Sequence, residues 1–229
     1  MTISASQVKE LREKTGLGLM DCKKALEEAN GDINLAIEEL RKTSGLKASK
    51  KSGRSAADGL IGILNNGKTA FMIEVNCETD FVARDESYIN FTEETLKTYA
   101  DNSEKPLEQL LEEGIEVNRE KLVQKLGENI VVRRVAKTED SAVTGSYLHS
   151  NNKIGCIVSL NGGTESLAND IAMHAAATDP MAVSPSDIPQ EIVDKEREIS
   201  KAQSEGSGKP PEIIEKMIEG KVSKFLSEV

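Results

Sequence analysis

The sequence contains no tryptophan, and only three tyrosines and four phenylalanines among 229 residues. So sparse an aromatic set cannot build a broad platform for stacking bases. Cationic excess is missing too. Against 29 Lys and Arg stand 39 Asp and Glu, a formal net charge of −10, which argues against direct nucleic-acid binding. Histidine occurs twice, at His149 and His174, with no local Cys/His metal spacing and no glycine-rich phosphate loop. The three cysteines (Cys22, Cys77, Cys156) are far apart and odd in number, which is the usage of reduced thiols in a cytoplasmic protein. No apolar run approaches the ~20 residues that cross a bilayer, so no membrane partner is expected. The opening Met1-Thr2-Ile3-Ser4-Ala5 lacks both the basic and the apolar region of a secretory leader. What is present, 38% hydrophobic and 30% charged residues, describes a soluble globular chain of one large or several small domains.

Charge is unevenly distributed. Residues 1–54 carry 11 basic and 8 acidic side chains, a net +3, whereas 55–229 carry 18 and 31, a net −13. From Arg41 to Arg54 there are six basic residues and no acidic one, interleaved with Ser and Gly. This stretch reads as a solvated linker, with an RNA-binding tail as the alternative. Ahead of it, three short helices are punctuated. Ser4 and Gln7 form a capping-box pattern before Val8 and Leu11, with Gly16 as the stop. A second helix runs from about Leu19 to Ala29, and Asp32 caps a third holding Ile33, Ala36, Ile37 and Leu40. The apolar turn Gly16-Leu17-Gly18-Leu19-Met20 either plugs this bundle or meets a partner, with Leu19 and Met20 as the outward pair.

After Ala56 the hydrophobic period falls from 3.6 to 2. Leu60–Leu64 and Ala70–Val75 read as strands about Asn65-Asn66-Gly67. A helix over Asp85–Tyr99 follows, with Ile89, Leu96 and Tyr99 on its apolar side. Next come a looser helical stretch ending at Gly127 and a third strand, Ile130–Val135. From about Val143 the plan repeats. Ser146–His149 and Ile154–Leu160 form a hairpin about Asn151-Asn152, and Thr164 caps a helix with Leu167, Ile171 and Ala175. Pro189–Ala202 and Pro211–Leu226 then form an antiparallel helical hairpin, pairing Ile188, Ile192, Val193 and Ile199 with Ile213, Met217 and Val222. The fold class is α+β. Four segments follow: a three-helix module with its basic linker (1–54), one core subdomain (55–140), a second, incomplete one (141–186) and the helical hairpin (187–229).

The segment from Asn76 to Asp85 carries the strongest functional signal. It places Thr79, Asp80, Phe81 and Val82 where the first hairpin feeds its helix. In the structural reading, Thr79 or Asp80 caps the helix and Phe81 packs beneath it. In the functional one, an aromatic and a carboxylate are presented on the lip of the sheet, to wedge into a partner that holds a cation or phosphate. Cys77 reads as a packing residue, although a thiol dyad with His149 or His174 would make a hydrolase. His174 reads as a packing or capping residue, with a contact role as the alternative.

Four motifs resemble bacterial elongation factor Ts: Val8-Lys-Glu-Leu-Arg-Glu-Lys-Thr-Gly, Met20-Asp-Cys-Lys-Lys-Ala-Leu, Glu74-Val-Asn-Cys-Glu-Thr-Asp-Phe-Val-Ala and Ile171-Ala-Met-His. The resemblance implies a guanine-nucleotide exchange factor for elongation factor Tu, with a ubiquitin-associated-like front module and a core of two similar subdomains. It implies no cofactor, no bound metal and no enzymatic bond-making. Thr79, Asp80, Phe81 and Val82 would displace magnesium in the GTPase. Leu19 and Met20 would grip its nucleotide domain, while His149, Met173 and His174 would reach a distal domain. The helical hairpin would pair two copies. A protein-docking adaptor is the alternative reading. Long members of the family continue beyond Val229 with a strand segment and helix that complete the second subdomain. The chain therefore reads as truncated or incomplete, with a naturally short form as the alternative and an open sheet edge near Ile154–Leu160.

Overall fold

The computed structural model describes residues 3–140, 142–204 and 210–228, and the chain divides into two units, Met1–Met173 and His174–Val229. Three helices open the first unit: α1 (Ala5–Thr15), α2 (Leu19–Glu28) and α3 (Ile33–Ser49). Local chemistry sets their limits. The Ser4 side chain accepts from the Gln7 N–H while the Gln7 side chain accepts from the Ser4 N–H. Such a cap contributes about 1 kcal/mol. Gly16 ends α1 at φ 67°, a left-handed position where a side chain is strained. The Asp32 carboxylate takes the N–H groups of Asn34 and Leu35 and starts α3. Val8, Leu11, Leu17, Cys22, Leu26 and Ala36 fill the module's core. Leu17 thus plugs the bundle, whereas Leu19 and Met20 face outward.

The basic run expected as a linker is structured. Helix α3 continues through it to Ser49, burying Ser44 and Ala48. Lys47 pairs with Asp21 at 3.0 Å, Lys51 donates to the Gly127 carbonyl, and the Asn129 amide donates to the Arg54 carbonyl at 2.9 Å. Ala48 packs into the core of the following sheet layer. A run of like charge remained helical because its small residues face inward while its lysines reach outward.

That layer comprises β1 (Asp58–Asn65), β2 (Ala70–Cys77) and β3 (Val131–Lys137), antiparallel in the order β1-β2-β3. Between β2 and β3 lie α4 (Asp80–Ala83), α5 (Glu86–Asp101), α6 (Leu107–Leu110) and, after a π turn over Leu111–Ile115, α7 (Glu116–Leu126). Phe71, Ile73, Val75 and Cys77 alternate onto one sheet face against α5 and α7. The buried face of α5 is Tyr88, Phe91, Thr92, Thr95, Leu96 and Tyr99; Ile89, expected there, is only half-buried. α3 packs on α7, so the front module and this core share one unit.

The repeat follows as β4 (Val143–Leu148), β5 (Gly155–Leu160) and α8 (Glu165–Thr178), capped by Thr164. Among the described residues this second sheet has two strands, where the first has three. It lies on the β1–β2 hairpin: the Ile61 N–H donates to the Asn152 carbonyl at 2.7 Å, and Lys153 pairs with Asp58 at 2.8 Å. Helix α8 approaches β4 so closely that a Cβ at Gly145 would lie 2.2 Å from the Ala168 carbonyl carbon. Small residues therefore form its seat. Ala168 and Ala172 are buried, and Leu167 and Ile171, expected on the apolar face, are exposed.

In the second unit, α9 (Gln190–Ser204) packs on α10 (Pro211–Glu228). Arg197 pairs with Glu219 at 2.7 Å and Lys221 donates to Gln203 at 2.9 Å. Ser200 and Ser204 are buried with Ile218 and Val222, while Ile199 and Ile213, expected in the seam, are exposed. The stretch between α9 and α10 falls largely outside the described residues.

Candidate functional site

Strand β2 ends at Cys77, and after two intervening residues the chain enters the single turn α4. Thr79 is its N-cap; the hydroxyl accepts the Val82 N–H at 3.4 Å. Val82 and Ala83 are buried and anchor the turn from beneath, so Val82 is a foot and not a contact surface. Phe81, on the opposite side, is 81% exposed. A ring of that size left in water on a structured turn is the clearest anomaly of the surface, since most large aromatics bury. Asp80 stands beside it, paired to Arg84 at 2.7 Å, with both side chains substantially exposed. Such a surface pair contributes about 0–1 kcal/mol, so a stronger cationic partner can take the carboxylate at little cost.

The turn is tied down from behind by two acids. The Glu128 carboxylate accepts the N–H of Glu78 at 3.0 Å, the N–H of Thr79 at 2.9 Å and the Thr79 hydroxyl at 2.6 Å. Reciprocally, Glu78 accepts the Asn129 N–H at 2.6 Å and lies 3.5 Å from Arg54. Hydrogen bonds to charged groups contribute about 1.5–3 kcal/mol each. Arg119, paired with Glu116, donates to the Ile130 carbonyl at 2.6 Å and secures the start of β3 next to this corner. Glu78 lay within the marked segment Asn76–Asp85 but was given no role there, and nothing local in the sequence marked Glu128 or Asn129. The only hint was the polar pair directly after the helix-ending Gly127.

Cys77 is buried in a setting that disfavours a thiolate. Burial pushes its thiol up to about 11, and its Sγ donates to the Thr79 carbonyl at 3.2 Å. Beside it the Tyr88 hydroxyl donates to the Val75 carbonyl at 2.7 Å, and burial raises its pKa as well.

The remaining predicted residues occupy other elements. Leu19 and Met20, 54% and 71% exposed, form the first turn of α2. Leu19 borders an apolar groove of about 480 Å³ with Ile3, Ala5 and Val8, rimmed by Lys9, Arg12 and Lys23. His149 is half-buried after β4, its ring edge-on to Tyr147 at 6.4 Å. Met173 and His174 lie exposed on α8, so His174 is not a packing residue. The structure thus groups 79–82 on one turn and 19–20 on another. Among the described residues, no cluster of His, Cys, Asp or Glu suits a metal ion, and no helix is long and apolar enough to cross a membrane.

Comparison with known proteins gives the family. A profile of the family described as Elongation factor TS matches residues 78–229. The chain is 54% identical over 228 residues to elongation factor Ts of Marinobacter nauticus, covering 99% of this chain and 78% of that relative. To elongation factor Ts of Hahella chejuensis it is 53% identical, covering 99% and 80%. The Arthrospira platensis protein of the same name is 47% identical, with 99% and 95% covered. Helices, small antiparallel sheets, a profile over two thirds of the chain and half-identical relatives along all of it agree: this chain belongs to the elongation factor Ts family, translation elongation factors of protein biosynthesis.

Proposed function

We propose that the protein is the guanine-nucleotide exchange factor for elongation factor Tu, and that it acts by binding alone. The observation that carries this reading is Phe81, 81% exposed on a capped turn with Asp80 at its side. Inserted beside the nucleotide of the GTPase, the ring displaces neighbouring side chains while the Asp80 carboxylate competes with the phosphates for magnesium. Magnesium bridges those phosphates to the GTPase, so dislodging it weakens the hold on GDP. Linkage sets the limit: the factor loosens GDP only as much as GDP loosens the factor. No bond is made or broken, so the protein is not an enzyme in the usual sense.

The four segments 1–54, 55–140, 141–186 and 187–229 act in this reading as separate contact modules. Leu19 and Met20 hold the nucleotide domain from the front module, and His149, Met173 and His174 meet a distal domain. The helices of 187–229 are the candidate surface for pairing two copies, and the site of action is the cytoplasm. The test is release of fluorescent GDP from elongation factor Tu with and without the chain. Acceleration supports exchange; tight binding without acceleration leaves a docking adaptor instead.

A further inference from the structure

The exposed turn α4 is too short to hold its own direction, because one helical turn makes too few bonds to offset the ordering of its residues. Its two ends must therefore be fixed from outside. Val82 and Ala83 fix the far end by burial. At the near end Cys77 is buried and its Sγ donates to the Thr79 carbonyl, while the N–H groups and hydroxyl beyond it need a polar anchor. There the Glu128 carboxylate gathers the two successive N–H groups of Glu78 and Thr79 together with the Thr79 hydroxyl. The same hydroxyl accepts the Val82 N–H, so one side chain from the corner between α7 and β3 sets the cap of the turn that presents Phe81. Glu78 returns the contact by accepting the Asn129 N–H, which locks the β2–α4 corner to the α7–β3 corner.

We propose that Glu128 is a positioning residue for exchange, acting through Thr79 to aim Asp80 and Phe81. The proposal rests on the reading of those two residues as the contact with the GTPase. A carboxylate suits this place because all three groups facing it donate, and an anion accepts them without itself needing a donor. Without it, two N–H groups lose their partner, the cap is freed, and the ring samples directions other than the productive one. Because Asp80 and Phe81 are one part of a larger contact, misaiming them should lower the rate of release more than it lowers affinity.

The experiment uses the full chain with Glu128→Ala, Glu128→Gln, Phe81→Ala and the double variant Glu128→Ala/Phe81→Ala. GDP release from elongation factor Tu is followed against factor concentration, beside thermal melts and amide hydrogen exchange at Glu78 and Thr79. Loss of Glu128 should leave a folded protein with faster amide exchange at both positions. Its maximal release should fall about tenfold, with half-saturation little changed. Glu128→Gln should recover most of the rate, since its amide oxygen can keep the two N–H groups and its NH₂ can donate to Thr79. In the double variant the losses should be less than additive, because both changes disable one element. Wild-type release by Glu128→Ala while Phe81→Ala is slow would overturn the proposal alone. Full additivity would do the same, as would a Gln variant no better than Ala. Wild-type release by Phe81→Ala would instead refute the exchange reading, and the positioning role would fall with it.

Discussion

Replacing Phe81 by alanine removes a ring that contributes almost nothing to the folded chain. At 81% exposure it shields little apolar surface from water, and α4 is held by Thr79, Val82, Ala83 and Glu128 instead. Surface substitutions of that kind stay within about 0.5 kcal/mol. For a unit of this size the melting point should move by no more than about 2 °C. Docked into a partner, the same ring would gain about 1.5–3 kcal/mol by burial, and its present exposure leaves nearly all of that gain available. Each 1.4 kcal/mol is about tenfold in rate, so exchange should slow about ten- to hundredfold. Residual activity should persist from the rest of the interface. Stopped-flow GDP release beside a thermal melt measures both quantities. A folded variant with the wild-type rate would refute the reasoning. So would a melting point lowered far beyond the stated limit, which would mean that the ring supports the fold.

Asp80→Asn should slow exchange more in magnesium than in chelator, because its charge acts on the cation; equal deficits in both would leave only a role in the turn. Gly145→Val should destabilise the first unit by at least about 2 kcal/mol, because a Cβ there lies 2.2 Å from the Ala168 backbone; an unchanged melt would refute that close approach. The Asp58 carboxyl is held below its ordinary value of 3.8 by hydrogen bonds from Lys153 and the Gly59 N–H. Its folded pKa is depressed, so its contribution is complete above the unfolded value and is lost as pH falls through the folded one. Lys153→Met should therefore lower the melting point at neutral pH, with the gap from wild type closing in strong acid; a gap independent of pH would show that the pair contributes nothing.

Whatever depends on near neighbours in the chain was legible in the sequence alone. The Ser4–Gln7 capping box, the stops at Gly16 and Gly127, the Asp32 and Thr164 caps and the Asn65-Asn66-Gly67 turn are each completed within a few residues. The strands β1, β2 and β3 also followed from their alternation, and the segment 79–82 was marked by an acid and a rare aromatic side by side. Tertiary packing decided the rest, because the deciding partner lies far along the chain. Only the close approach of Ala168 to Gly145 determines that α8 seats its alanines and leaves Leu167 and Ile171 outside. Only α7 and the following turn explain why the basic run after Arg41 stays helical to Ser49. Whether Phe81 packed under its helix or stood in water was likewise undecidable from spacing. A carboxylate 49 residues away, with Val82 as the buried foot, fixes the turn with the ring outward.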